Sequence, residues 1–136
     1  MTEKIFINGE GAIMGRLCSF AAKKALEGKE IVVVNSEKVV VSGNKKDIIK
    51  EYGEMRKKGK GHSLKGPRYS RMPYKMLKRA IRGMLPNHRK GIGKEAYLRI
   101  KCYNGLPEEF KDKEMIKITT PKKIKYIILE ELSKEI

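Results

Sequence analysis

The residues with the clearest chemistry in this sequence are cations in one acid-free stretch. Between Glu54 and Glu95 the chain contains no Asp or Glu. Fourteen of the 32 Lys and Arg residues lie there and all 16 acidic residues lie elsewhere, so the stretch carries most of the net charge of +16. Like charges at this density repel one another and weaken the compact state unless a polyanion neutralises them. The pattern therefore predicts a phosphate-binding surface, with nucleic acid as the first candidate partner.

The acid-free stretch divides into two parts with different physics. Residues 57–72 contain few apolar anchors and cannot offset their ordering entropy, so we expect a flexible arm there. From Pro73 the sequence predicts an amphipathic helix that ends at Pro86, with a row of cations opposite an apolar stripe. A flexible arm beside a rigid basic helix suits folded RNA, because closely spaced phosphates require both reach and placement. The predicted stripe consists of Met76, Leu77, Ala80, Ile81, Met84 and Leu85.

The predicted RNA contacts are of two kinds. Cations neutralise phosphates, whereas His62 and Tyr69 are placed to stack on unpaired bases. For Tyr69 and Tyr74, packing against the surface of the domain itself is an equal alternative. For His62 and His88, simple exposure to solvent is the alternative to RNA contact. The predicted RNA-binding residues are Arg56, Lys57, Lys58, Lys60, His62, Lys65, Arg68, Tyr69, Arg71, Lys75, Lys78, Arg79, Arg82, His88, Arg89, Lys90 and Lys94.

A glycine-rich turn offers a function of a different class. Residues 8–16 (NGEGAIMGR) follow a predicted strand and open a predicted helix, where a phosphate-binding loop would lie. The spacing does not fit, because a dinucleotide fingerprint would place its third glycine at Met14. Gly11 and Gly15 enclose three residues, where a P-loop has four. We interpret the segment as a structural turn, and a nucleotide-dependent enzyme using the Gly9–Gly15 turn is the alternative hypothesis.

Catalytic, cofactor-binding and metal-binding residues are not predicted anywhere in the sequence. His62 and His88 have no carboxylate near them in sequence, and Cys18 and Cys102 stand alone, so we expect two small, buried, reduced thiols. No apolar run approaches the roughly 20 residues of a membrane span, and the start of the chain lacks the features of a signal peptide. We therefore expect a cytoplasmic protein without a membrane partner or a small-molecule substrate.

The elements that must position the cations alternate along the chain. The periodicity of apolar residues predicts strands at 4–7, 31–35, 38–42 and 115–119, and helices at about 13–28, 44–57, 73–85, 94–103 and from Thr120 to Leu132. Strands alternating with helices, two of the strands apolar throughout, favour an α/β fold with a parallel sheet covered on both faces. We predict a single α/β domain over residues 1–136, with 56–94 as a basic RNA-binding arm and helix inserted within it.

Four sequence blocks stand out as motifs: residues 11–19 (GAIMGRLCS), 34–38 (VNSEK), 42–45 (SGNK) and 79–86 (RAIRGMLP). Together they resemble the large-subunit ribosomal protein thirteen family. The last block is the most specific, and the resemblance extends from about Ile5 to Phe110. Residues 66–69 (GPRY) and the short C-terminal helix are similar to the archaeal and eukaryotic branch. The sequence lacks the longer C-terminal extension of eukaryotic members, which favours an archaeal member.

The resemblance implies both a fold and a function. The implied fold has three layers, α/β/α, around a four-stranded and mainly parallel sheet. The implied function is that of a non-catalytic constituent of the large ribosomal subunit, which binds large-subunit rRNA of the 23S type during assembly and neighbours other large-subunit proteins in the cytoplasmic ribosome. A free RNA-binding translational regulator would use the same surface and is the alternative.

Overall fold

Strands and helices alternate along the chain. A computed structural model describes residues 3–57, 70–118 and 125–136. The strands are β1 (Lys4–Asn8), β2 (Glu30–Val34), β3 (Val40–Ser42), β4 (Ile100–Cys102), β5 (Ile116–Lys117) and β6 (Tyr126–Ile128). The helices are α1 (Met14–Leu26), α2 (Lys45–Lys57), α3 (Pro73–Gly83), α4 (Gly91–Leu98) and α5 (Leu129–Glu135), and single 3-10 turns lie at Ser36–Lys38 and Glu108–Phe110.

The main sheet is parallel throughout and has the strand order β4-β2-β1-β5. Ile31 pairs with Ile5 on one side and with Ile100 on the other, so β2 lies inside the sheet. The residues of β2 from Ile31 to Val34 are all buried. This is the burial expected of a parallel strand whose two faces are both covered, and it explains the continuous apolar run in the sequence.

The two faces of the sheet are covered differently. Ile5 and Ile7 of β1 belong to the same hydrophobic core as Leu17 of α1 and Leu77 of α3. Phe6 points to the other face, where its ring centroid lies 5.2 Å from that of Phe110. The strand order explains why the two faces differ. From β1 to β2 to β4 the chain moves across the sheet in one direction, and from β4 to β5 it returns in the other. Because connections between parallel strands are right-handed, the returning connection crosses the opposite face. The predicted α/β fold, with its four-stranded parallel sheet and three layers, is confirmed.

A second, smaller sheet joins β3 and β6 in antiparallel fashion. Val40 pairs with Ile128, and Ser42 pairs with Tyr126. The strand predicted at 38–42 is therefore present only over Val40–Ser42, because Lys38 belongs to a 3-10 turn. The prediction that it is a strand buried on both faces was wrong, because Val41 is half-buried and Ser42 is exposed. This small sheet adjoins the start of α5, where the backbone N–H of Leu129 donates to the carbonyl oxygen of Val39 at 2.9 Å.

Two predicted helices were wrong in part. The helix predicted at 94–103 ends at Leu98, and β4 follows, with Ile100 and Cys102 buried and Lys101 exposed. The last helix begins at Leu129, because the preceding residues form β6. Its predicted start at residues 120–121 lies outside the described residues.

Both cysteines are buried and free, as the sequence predicts. Burial raises the pKa of the Cys102 thiol to about 12, and burial together with the nearby Cys102 raises that of Cys18. Since the thiolate is the reactive form, both residues behave as small apolar core residues.

Candidate nucleic-acid interface

Helix α3 is the element that holds most of the predicted cations in place. Pro73 occupies its first turn, where the missing N–H costs nothing. Met76, Leu77 and Ile81 are buried against the domain, which fixes the orientation of the helix. The predicted amphipathic helix is confirmed, except that Met84 follows its last residue and is 46% exposed instead of joining the apolar stripe.

The cations of α3 lie along a groove that is shared with α2 and α4. The groove has a volume of about 540 Å³. Arg56 reaches it from the last turn of α2, and Lys75, Lys78, Arg79 and Arg82 reach it from α3. We call this feature the cationic groove. It brings together five predicted RNA-binding residues from two helices.

Aromatic rings position two side chains at this surface. Lys78 Nζ lies 4.9 Å from the ring centroid of Tyr97, and the ring of His88 lies 6.1 Å from the same ring. Partial desolvation, together with the charges of Arg82 and Arg89, lowers the pKa of His88. His88 is therefore neutral at pH 7, and it lies within electrostatic reach of both arginines.

The ion pairs of the described residues lie outside the acid-free stretch. They join cations such as Lys29, Lys45 and Arg99 to neighbouring carboxylates. In the described part of the chain, Lys75, Lys78 and Arg82 have no such partner. Their charge is left for a polyanion to neutralise, since each cation added to a like-charged cluster costs free energy.

The other predicted residues are not brought to the cationic groove. Arg71 turns towards α5, where its Nη2 donates to the backbone oxygen of Ser133 at 3.4 Å. Lys57, Arg89, Lys90 and Lys94 are exposed but do not line the groove, and half-buried His88 does not line it either. Lys58, Lys60, His62, Lys65, Arg68 and Tyr69 lie outside the described residues.

Sequence reasoning missed two residues of the groove. Tyr52 and Tyr97 line it together with Tyr74, and the three come from three different helices. In the sequence, Tyr52 and Tyr97 fall at apolar helical positions, which indicates only that they face the domain. Their meeting depends on how α2, α3 and α4 pack, so no local pattern indicated it.

The glycine-rich turn has no backbone donors to offer a nucleotide between Gly9 and Ala12. The N–H groups of Gly9, Gly11 and Ala12 donate to the carbonyl oxygens of Val34, Lys38 and Gly9 at 2.9 to 3.1 Å. The N–H of Glu10 donates to Asn8 Oδ1 at 3.0 Å. A phosphate-binding loop works by pointing free N–H groups at its ligand, and these four N–H groups are already bonded within the protein.

Gly9 shows why that turn requires glycine. A Cβ atom there would lie 2.8 Å from Val39 Cγ2 and 3.1 Å from the carbonyl oxygen of Val34. The turn thus lets β1 approach the segment after β2 closely, which is the structural role that the sequence indicates.

Neither a metal site nor a membrane span is present among the described residues. Those residues contain no group of three or more His, Cys, Asp or Glu side chains arranged to hold a metal ion. No described helix combines the length and the apolar character needed to cross a membrane.

The fold and the cationic groove together define a basic α/β protein built to present charge, the type of protein found in ribonucleoprotein particles. Comparison with known proteins agrees, because a family model described as "Ribosomal protein L13" matches residues 2–109. The chain belongs to the ribosomal protein L13 family. Membership makes it a structural component of the ribosome and not an enzyme, and it implies association with rRNA and with other ribosomal proteins.

Relatives of similar length are archaeal, which confirms the predicted branch. The chain is 47% identical over 134 residues to "Large ribosomal subunit protein uL13" of Methanocaldococcus jannaschii, covering 96% of this chain and 95% of the relative. It is 42% identical to the protein of that name from Methanosarcina barkeri, covering 95% and 94%, and 39% identical to that of Thermoplasma acidophilum, covering 96% of each. The resemblance of the sequence to a large-subunit protein of the cytoplasmic ribosome is confirmed.

Proposed function

We propose that the chain binds large-subunit rRNA of the 23S type through the region from Arg56 to Lys94 and supports assembly of the large subunit. The observation that carries the proposal is the cationic groove, where five cations from two helices surround one cavity. Family membership makes rRNA the polyanion at hand. In this proposal residues 56–94 are the RNA-binding part of a single α/β domain.

The proposed mechanism is phosphate neutralisation on a preformed surface. Lys78, Arg79 and Arg82 are half-buried, so their aliphatic stems are already packed and less side-chain entropy is lost on binding. Each contact releases counterions from the RNA. About eight contacts would give a log-log dependence of affinity on salt with a slope near −6. The arm at 57–72 adds reach in this proposal, as the sequence predicts.

Sedimentation tests whether the chain works inside the particle. We expect the protein in cell extract to co-sediment with large ribosomal subunits and to leave them only at high salt, because many phosphate contacts must be broken together. A free translational regulator would instead remain at the top of the gradient at moderate salt. A nearly flat dependence of rRNA affinity on salt would contradict phosphate neutralisation itself.

His88 gives the proposed interface a pH dependence. Its lowered pKa means that it is neutral at pH 7 and gains a positive charge as the pH falls. Because that charge would face phosphates, we expect rRNA affinity to rise as the pH falls below the ordinary histidine pKa of about 6.5. Filter binding over a series of pH values measures the rise, and it should be smaller in His88→Gln.

The same shift acts in the opposite direction on the free protein. A histidine whose folded pKa lies below its unfolded value stabilises the fold above the unfolded pKa, and the contribution is lost as the pH falls. Thermal unfolding without RNA should therefore become less pH-sensitive in His88→Gln. An unchanged pH dependence of rRNA affinity in that variant would remove His88 from the interface.

A further inference from the structure

The cationic groove contains more aromatic surface than phosphate binding requires. Tyr52 of α2, Tyr74 of α3 and Tyr97 of α4 all line it, and all three are half-buried. Met76 and Ala80 add apolar surface between them. All three side chains pack partly against the hydrophobic core, but each also presents surface to the groove, and phosphate neutralisation makes no use of that aromatic surface.

The charge of the groove restricts what can cover those rings. Five of the described residues that line it are Lys or Arg, and none of those described is Asp or Glu. An apolar ligand that also carries negative charge is complementary to such a lining. An unpaired nucleotide has this combination, because its base has a flat π face and its phosphate is an anion.

The rings differ in how much of their surface is already in use. Tyr97 is contacted by Lys78 Nζ at 4.9 Å from its ring centroid and by the ring of His88 at 6.1 Å. At Tyr74, Lys75 Nζ lies over the ring at 6.0 Å from its centroid. Tyr97 thus has two such neighbours and Tyr74 has one, so Tyr74 and Tyr52 have more ring surface left for a ligand, while Lys75 and Lys78 are placed to hold its phosphates.

We propose that the cationic groove binds an unstacked RNA base, which stacks on Tyr74 and Tyr52 while the surrounding cations hold the flanking phosphates. The proposal rests on the proposed function, since the ligand belongs to the same rRNA. It adds a selectivity that phosphate neutralisation lacks: an RNA with an unpaired loop binds more tightly than a duplex of equal charge, whose bases are stacked inside the helix.

The experiment compares two RNAs and a matched set of variants of the full chain. One RNA is a hairpin with an unpaired loop, and the other is a perfect duplex with the same number of phosphates. Tyr74→Leu removes the ring but keeps an apolar side chain, and Tyr74→Phe keeps the ring. Tyr126→Leu makes the same change at a tyrosine that is 40% exposed on β6, away from the groove.

We expect Tyr74→Leu to lose affinity for the hairpin by about 5- to 150-fold, the equivalent of about 1–3 kcal/mol at 1.36 kcal/mol per tenfold. Its affinity for the duplex should stay within a factor of two of the wild type, and Tyr74→Phe and Tyr126→Leu should bind both RNAs normally. Tyr52→Leu should follow Tyr74→Leu. An equal loss for hairpin and duplex, or no loss for either, would overturn the proposal.

Photo-crosslinking of the wild-type protein tests the same point without a variant that has to fold. With 4-thiouridine in the loop, we expect crosslinks at Tyr52, Tyr74 or Tyr97. Crosslinks that all map outside the groove would overturn the base-binding proposal. If rRNA binding is salt-dependent in that case, the proposed function is retained and only the base-binding proposal fails. If rRNA affinity does not depend on salt, both proposals fail.

Discussion

Replacing Lys75, Arg79 and Arg82 together by alanine is expected to weaken binding of deproteinised large-subunit rRNA by about 100-fold at near-physiological salt. The three cations line one groove, so in the proposed interface their charges act on the same phosphates. The log-log salt slope should become shallower by about 2 to 3, because each lost phosphate contact removes slightly less than one unit. Filter binding at several salt concentrations measures both quantities, and the substitutions retain helix propensity.

A charge-matched variant separates position from net charge. Lys23, Lys111 and Lys113 are exposed, lie outside the cationic groove and lower the net charge by the same amount when changed to alanine. We expect this control to lose only a few-fold in affinity, since distant exposed charges are screened by salt. Equal losses in the two triple variants would show that rRNA responds to total charge, which contradicts a localised interface.

Gly93→Ala is expected to lower the free energy of unfolding by about 1–3 kcal/mol, although alanine is the better helix former. Gly93 is a buried residue of α4, and a Cβ atom there would overlap the carbonyl oxygens of Pro86 and Asn87. Both neighbours are backbone atoms, so a rotamer change cannot relieve the overlap. The segment leading to His88 would have to move, and urea unfolding measures the cost.

The matched control for this change is Gly53→Ala in α2. An added Cβ at Gly53 meets no heavy atom within 4 Å. With no overlap to offset helix propensity, we expect this variant to be more stable than the wild type by about 0.5–1 kcal/mol. If Gly93→Ala were as stable as Gly53→Ala, the close packing of α4 on the segment before it would be wrong.

The sequence predicts the centre of the sheet well because burial and local propensity agree there. The run over residues 31–34 is β-branched or apolar throughout, and every one of its residues is buried in β2. The glycines after β1 likewise mark a turn whose geometry only glycine satisfies at Gly9. At such positions local pattern and tertiary environment favour the same conformation.

The two strands that were missed are short and follow or precede helical patterns. Ile100 continues the helical spacing of Ala96 and Tyr97, but it pairs with Ile31 as part of a three-residue strand. Ile128 has the spacing of a helix residue and pairs with Val40 instead. Three residues are too few for a period of two to be told from one of 3.6, so pairing with distant strands decides the outcome.

The proposed interface, like the fold, has features that local sequence predicts and features that depend on tertiary packing. The candidate cations can be chosen from the sequence, because the acid-free stretch shows where positive charge is not balanced by carboxylates. The electrostatic field of the protein depends on that sum of charges. Which of them meet depends on how α2, α3 and α4 pack. Arg71 illustrates the limit, because its sequence position suggests the groove while its side chain contacts Ser133 of α5.

The place of β1 within the parallel sheet has a consequence for the growing chain. β1 can pair with β2 early in synthesis, but its other edge pairs with β5, where Ile7 meets Ile116. That second pairing closes a loop of nearly the whole chain, which is entropically costly and slow. During most of its synthesis the nascent chain therefore has an unpaired edge on β1. Such an edge is a template for pairing with other chains. Truncation before Ile116 should leave that edge open permanently and yield aggregates.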